Sequence, residues 1–238
     1  MSNLNEISRR SFIKTAGLGS AAATTISAKS GKSKSKVIIT RDSNASKDMI
    51  LNQKVVTAMV DKTVMKFTGK SSVGSAFESL FPNVSIKTRI NLKVNMIAGS
   101  KKMGTHPEIV EAIVHGLAKM CKGKYPRENI AIWCDRNKFK EMGYPMDDSR
   151  GYKIIIAKDN FNDKYTVKTG EIIQAFTQPL IDCDYFINVP ILKDHGTAGV
   201  TGALKNHYGS VSRPREIHDN CCDPFISEIY SHKLIKEK

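Results

Sequence analysis

The sequence predicts an α/β fold, a mostly parallel sheet with helices on both faces, and three observations predict it. Strand signals recur along the chain, as short β-branched or apolar runs at residues 37–40, 130–133, 152–157 and 185–192 and as apolar/polar alternation at 88–95. Between them, residues 47–67 and 105–122 carry apolar side chains at helical spacing. Strands that alternate with helices imply crossover connections and parallel pairing. The composition agrees, because 238 residues with 40% hydrophobic and 25% charged content are ordinary for a folded chain.

Taken in order, the run at 37–40 ends in the turn Arg41-Asp42-Ser43-Asn44, and the first helix follows, with Ile50, Leu51, Val55, Met59, Val60, Val64 and Met65 on its apolar stripe. Residues 69–75 and 81–83 break the pattern. The strand at 88–95 leaves Lys93 and Asn95 at its carboxyl end. Thr105-His106-Pro107-Glu108 reads as a capping box with proline in the first turn, opening a helix to about residue 122 with Ile109, Ile113, Leu117 and Met120 on one face. Its free N–H groups would face an anion, with His106 beside them. His115 falls about 200° round from Ile113 at ~100° per residue, on the solvent side. The strand at 130–133 ends in the polar Cys134-Asp135-Arg136-Asn137, where α/β sheets bind ligands. Residues 138–143 read as a short helix, 152–157 as a strand, and the charged segment 158–169 as a solvated excursion or hairpin.

The strand at 185–192 runs into Lys193–Gly209, which holds two histidines, two lysines and four glycines in seventeen residues. Glycine lets backbone approach a ligand, and His195, Lys205 and His207 can bind anions, ligate metal or move protons. His195, Lys205 and His106 are the candidates for proton transfer. Lys93, Asn95, Lys193, Gly199, Thr201 and Asn206 are candidates for holding a small anionic substrate, and His207 and His218 for metal, the one cofactor class these side chains suggest.

Residues 1–28 are set apart. Ser8-Arg9-Arg10-Ser11-Phe12-Ile13-Lys14 resembles a twin-arginine (Tat) export signal, which implies that Arg9 and Arg10 engage the Tat translocase and that the protein acts outside the cytoplasm. Residues 15–28 are too short and weakly apolar for a membrane span, which needs about 20 apolar residues. Gly17-Leu18-Gly19-Ser20-Ala21-Ala22 matches a dinucleotide fingerprint only in letters, since no strand precedes it. Residues 29–36 read as a basic linker and 37–238 as the α/β domain.

Net charge is +14. Residues 1–28 contribute Arg9, Arg10 and Lys14 against Glu6, a net +2, so about +12 remains without them. Basic residues interleaved with aromatics on one element are not found, and export argues against a nucleic-acid role. The surplus suits a solvated basic face, or attraction of anionic small molecules or a membrane surface. None of the five cysteines forms a C-x-x-C pair, which excludes the usual iron-sulfur and zinc-ribbon spacings. Cys121, Cys134 and Cys183 lie in apolar runs as core thiols. Cys221-Cys222 sits in a polar turn, either as an exposed pair without a role or as thiolates open to metal or oxidation.

Lys93-x-Asn95, Thr105-His106-Pro107-Glu108, Asn188-Val-Pro-Ile-Leu-Lys193-x-His195, Gly199-Val-Thr-Gly-Ala-Leu-Lys205-Asn206-x-Tyr208-Gly209 and then His218 with Asp223-Pro224 resemble the DUF362 family. The resemblance implies an α/β domain, often exported, with no settled activity. Val94 stands where that family usually has proline. The family pattern continues beyond residues 226–230, so the resemblance implies a fold incomplete at the C-terminus, a truncated relative. The ten-residue separation of His195 and Lys205 across a Gly-rich turn is similar to the lactate racemase family, which would make His195 a base and Lys205 the carrier of a nickel-pincer nucleotide. The expected function is metal- or cofactor-assisted acid/base chemistry on a small anionic substrate, with a non-catalytic anion- or metal-binding protein, or an inactive relative, as the alternatives.

Overall fold

The computed structural model describes residues 24–27, 35–97, 100 and 102–238. The expected export signal therefore lies largely outside the described residues. Its last part, β1 (Thr24–Ser27), pairs antiparallel with β2 (Lys36–Ile39). This ribbon stands apart from the main sheet. Lys36, expected in a linker, belongs to β2, and its ammonium donates to the Lys66 and Phe67 carbonyls.

Two short strands, β3 (Ser46–Lys47) and β4 (Ile50–Leu51), precede α1 (Gln53–Thr68). The expected helix from residue 47 thus starts later. Asp48 and Met49 take positive φ and turn the chain, and Asn52 Oδ1 accepts from Lys54 N and Val55 N as the N-cap. Gly69, at φ 74°, ends the helix. The expected break at 69–75 gives way to α2 (Val73–Glu78), capped by Ser72 and anchored by buried Phe77.

The central sheet holds β5 (Ile90–Val94), β6 (Ile130–Cys134), β7 (Lys153–Ile156) and, after α3 (Pro107–Ala118), the hairpin β8 (Phe161–Thr169) and β9 (Ile172–Thr177), and α4 (Gln178–Asp182), the strand β10 (Tyr185–Val189). Its order is β10-β5-β6-β7 and every pairing is parallel, with Asn188 opposite Lys93 and Lys93 opposite Trp133. The expected α/β class holds. β5 and β6 are buried on both faces, so Asn91 and Lys93 are buried along with the apolar residues they alternate with. Ile90, Leu92, Val94, Ile130 and Ile132 pack with Val110, Ile113, Val114 and Leu117 of α3 on one face. Trp133, Ile155 and Phe186 face the other, against Leu180 and the C-terminal helices α6 and α7 described below. Asn91, buried between them, donates to the Pro179 carbonyl at 2.7 Å.

Three expectations change. Thr105 does not cap α3; the N-cap is His106, without a side-chain hydrogen bond. Thr105 Oγ1 instead accepts from Asn95 N at 2.9 Å and donates to the Val189 carbonyl at 2.7 Å, tying two strand ends together. The helix stops at Ala118, because Cys121 and Lys122 adopt positive φ. Residues 138–143 form turns rather than a helix, with Phe139 and Met142 buried. The segment 158–169 resolves as the hairpin, β8 with β9, tied by Gly170 N donating to Glu228 at 2.9 Å.

The chain then forms the antiparallel pair β11 (Lys193–His195) and β12 (Gly199–Thr201), α5 (Ala203–Asn206), and the helices α6 (Phe225–Ser231) and α7 (Lys233–Lys236). Among the described residues no helix is long and apolar enough to cross a membrane.

Candidate functional site

The parallel pairing brings the carboxyl ends of β5 and β6 side by side, and the segments after β10 fold over them. There they enclose a cavity of about 230 Å³, lined among others by Lys93, Asn95, Asp135, Arg136, His195, Thr201, Lys205, Asn206, Tyr208 and His218. Open parallel sheets bind ligands at this end.

An amide network sets its floor. Asn206 Nδ2 donates to Asn188 Oδ1 at 2.7 Å and more weakly to the Lys93 carbonyl at 3.4 Å, while its Oδ1 accepts from Asn95 Nδ2 at 3.0 Å. Asn188 Nδ2 in turn donates to the Ala203 carbonyl at 2.6 Å. Asn95 and Asn206, expected to hold substrate, are therefore first of all braces that lock α5 onto the ends of β5 and β10.

Beside the amides sit charges. Lys93 is 1% exposed; its Nζ donates to the Val94 carbonyl at 2.9 Å, lies 4.0 Å from Asp135 Oδ1, and stands 5.0 Å from the Trp133 ring centre. Arg136 Nε lies 3.3 Å from the other oxygen of Asp135. Gly209 makes room for this group: a Cβ there would stand 2.6 Å from Asp135 Oδ1 and 2.9 Å from Lys93 Nζ.

Lys205 Nζ lies 3.1 Å from His218 Nε2 and 3.2 Å from the centre of the Tyr208 ring. Burial pushes its pKa down to about 8, with Cys222 acting in the opposite direction. His218 stacks on His195 with ring centres 5.6 Å apart and meets Tyr208 edge-on at 5.2 Å. Tyr208 OH donates to the Ile217 carbonyl at 2.7 Å, which fixes the segment that carries His218. Burial first, then the Lys205 charge, lower the His218 pKa, against backbone hydrogen bonds at Pro214 and Arg215 and the Asp219 charge. The His195 pKa is also lowered, by burial first and then by Lys205, His218 and Lys193, with Asp194 opposing. Its Nδ1 accepts from Thr197 N at 3.2 Å and Ala198 N at 3.1 Å. In the neutral ring the proton therefore sits on Nε2, and the ring presents a donor there.

The other expected residues are not gathered here. His106 lines a separate hollow with Thr40, Val56, Met59 and Ile109, and its Nδ1 lies 3.9 Å from Glu108 Oε2. Lys193 reaches away, donating to the Met103 carbonyl at 3.0 Å, and burial lowers its pKa against Asp194. Gly199 supplies the φ of 73° that closes the β11–β12 turn. His207 is buried and does not line the cavity, its Nδ1 3.1 Å from Ser210 Oγ and its ring edge-on to Phe186; burial, then Lys93, push its pKa to about 3. The expected pair of His207 and His218 thus does not share a site, and among the described residues no three His, Cys, Asp or Glu side chains cluster as metal ligands. Cys134 and Cys183 are buried as expected, Cys121 is half-buried, and Cys221 is exposed beside buried Cys222.

Sequence reasoning missed Arg136, Arg215 and Tyr208 as lining residues. Arg136 carried a signal, its place at a strand's carboxyl end. Arg215 carried none, because it reaches the cavity only through the fold of the segment held by Tyr208.

The fold and cavity define an α/β protein with a cavity lined by lysine and arginine, among others, at the carboxyl edge of a parallel sheet. The family described as "Domain of unknown function (DUF362)" matches residues 90–233, more than half of the chain, and the chain belongs to that family. A comparison with curated proteins gives no match.

Proposed function

We propose that this protein binds a small anionic substrate in the cavity and carries out acid/base chemistry on it, with Lys205 and His218 as the proton-transfer pair. One observation carries the reading: Lys205 Nζ lies 3.1 Å from His218 Nε2 inside a cavity whose wall also holds Lys93, Arg136 and Arg215 against one carboxylate, Asp135. Near neutral pH the pair holds an acid and a base, because Lys205 with a pKa of about 8 is mostly ammonium and His218 is mostly neutral. A substrate that displaces one partner meets the other. His195, expected as a base, serves in this reading as an Nε2–H donor to developing negative charge. Lys93 and Arg136 add positive potential from the strand ends.

A nickel-pincer nucleotide on Lys205 does not fit these residues. Lys205 Nζ is enclosed by His218 and Tyr208, and about 230 Å³ lies below the ~300–1,000 Å³ typical of pockets for larger ligands. No step is assigned to that group.

The test is hydrogen exchange in D₂O, followed by proton NMR, on a panel of small 2-hydroxy and 2-oxo acids and their phosphate esters. Exchange at the carbon next to the carboxylate, lost in Lys205→Ala and His218→Ala, supports the enzyme. Binding of panel members without exchange would leave a non-catalytic anion-binding protein, the alternative reading. The twin-arginine pattern at Arg9 and Arg10 supports action after export through the Tat translocase. Retention of the Arg9→Lys/Arg10→Lys double variant inside the cell is the expected result, and unchanged export would sink that proposal.

A further inference from the structure

Charge and unmatched donors narrow the ligand of this cavity. Four cationic side chains line it, Lys93, Arg136, Lys205 and Arg215, against one carboxylate, Asp135. Four positive charges less one negative leave +3 when Lys205 is protonated. Asp135 is engaged by Lys93 and Arg136, so Lys205 and Arg215 are the cations free to meet a ligand. A monocarboxylate would answer one of the three surplus charges. A dianion would answer two.

A second observation is independent of charge. Thr201 lines the same cavity and is 2% exposed, yet its Oγ1 is buried without a hydrogen-bond partner. Buried hydroxyls are normally paired, and this one has hydrogen-bonding capacity left over for a ligand or a water. The β11–β12 register places residues 193, 195, 199 and 201 on one face, which puts Thr201 and His195 together at the cavity wall. The ligand there must accept from a hydroxyl and from an imidazole N–H while it meets an ammonium and a guanidinium. Its acceptors must also be compact. At ~30 Å³ per water the cavity holds the equivalent of about eight waters, room for one tetrahedral oxyanion and a few carbons.

We propose that the anion recognised here is a phosphoryl group, as inorganic phosphate or a small phosphate monoester, held by Arg215, Lys205, the Thr201 hydroxyl and the Nε2–H of His195. This rests on the reading of the cavity as an anionic-ligand site. Phosphate supplies two charges and several acceptor oxygens from a single centre, and the guanidinium fork of arginine matches it. An extended dicarboxylate would separate its charges across a space of this size.

Isothermal titration near neutral pH and about 0.15 M salt, where exposed charge is screened, tests the assignment with inorganic phosphate, phosphoglycolate, glycolate and malonate. Phosphate or phosphoglycolate should bind at least tenfold more tightly than glycolate and malonate, and the tighter of the two tells free phosphate from an ester. Arg215→Gln and Thr201→Val should each weaken that binding by about tenfold. Thr201→Val is nearly isosteric and carries the test alone if the arginine variant folds poorly. Equal or tighter binding of glycolate or malonate would overturn the phosphoryl assignment and leave the anion site standing. Phosphate binding that both folded variants retain would also overturn it, and a wild type that binds none of the four would overturn both readings.

Discussion

Replacing Lys205 by methionine is expected to make the protein more stable near pH 7 and unable to bind its ligand. Methionine keeps the unbranched stem and removes the charge. In the folded protein Lys205 titrates near 8, mainly because of burial, against 10.5 for an unhindered lysine. Between those values the unfolded chain binds the proton and the folded one does not, so stability rises with pH across that window. Below pH 8 the folded state carries the full cost of the buried ammonium. At ~1.36 kcal/mol per pH unit that cost is at most ~3 kcal/mol. Solvent at the cavity and the Tyr208 ring 3.2 Å away shield the charge, which brings the expected gain down to ~1–2 kcal/mol. Urea unfolding followed by the fluorescence of Trp133, the single tryptophan, measures it. The variant should lead at about pH 7, and the gap should shrink by about pH 9.5 as the wild type sheds its proton. A methionine variant less stable than wild type at neutral pH would refute the reasoning, because it would make Lys205 a structural cation.

Two further perturbations address the surroundings. Between about pH 7 and 4.5 the wild type should lose ~3 kcal/mol more stability than His207→Gln, because a buried imidazole with a pKa of about 3 leaves the proton to the unfolded state below 6.5. Parallel losses in urea melts of the two proteins would show that His207 is not held neutral. Gly209→Ala should destabilise by ~1–3 kcal/mol and cut anion affinity at least tenfold, since its Cβ would stand 2.6 Å from Asp135 Oδ1 and 2.9 Å from Lys93 Nζ. Calorimetric titration of a well-folded variant with unchanged affinity would contradict the proposed role of that cluster.

The sheet was legible in the sequence because 130–133 and 185–192 are mostly apolar runs and 88–95 alternates as a strand does, although β5 is buried on both faces. The helices were less so. Thr105 and Glu108 have the letters of a capping box, but the Thr105 hydroxyl is taken by Asn95 and Val189, contacts made 10 and 84 residues away that no local pattern contains. Residues 138–143 carry helical spacing over too few residues to nucleate, and burial of Phe139 and Met142 shapes them instead. Conversely, α2 hides in a Gly/Ser-rich stretch; Ser72 starts it and Phe77 fixes it against Gly116 of α3, where an added Cβ would stand 2.1 Å from the ring. At the site, Lys93, Asn95, His195, Thr201, Lys205, Asn206 and His218 converge from the expected motifs. His106 does not, because the helix it opens turns its N-terminus toward α1 and the hollow beside it.

The motif residues divide into two physical kinds, and the division bears on what the site is for. Asn95, Asn188, Asn206 and Thr105 have their hydrogen bonds matched within the protein, so removing one strands the others and costs folding free energy. Lys205 and Thr201 are the reverse. Among the described residues the ammonium has no carboxylate partner and the buried hydroxyl no partner at all. Neither helps the fold stand, and an apolar side chain would fit either position more cheaply. Yet the two kinds are adjacent in sequence at Lys205 and Asn206, so the satisfied amide fixes the helix turn from which the cation, with no carboxylate beside it, meets His218. Asn206→Leu should therefore lower stability and ligand affinity together, whereas Lys205→Met should lower affinity alone, in the same melts and titrations. Local features that oppose stability are expected where a chain keeps a ligand site, and here they sit in the cavity at the sheet's carboxyl edge.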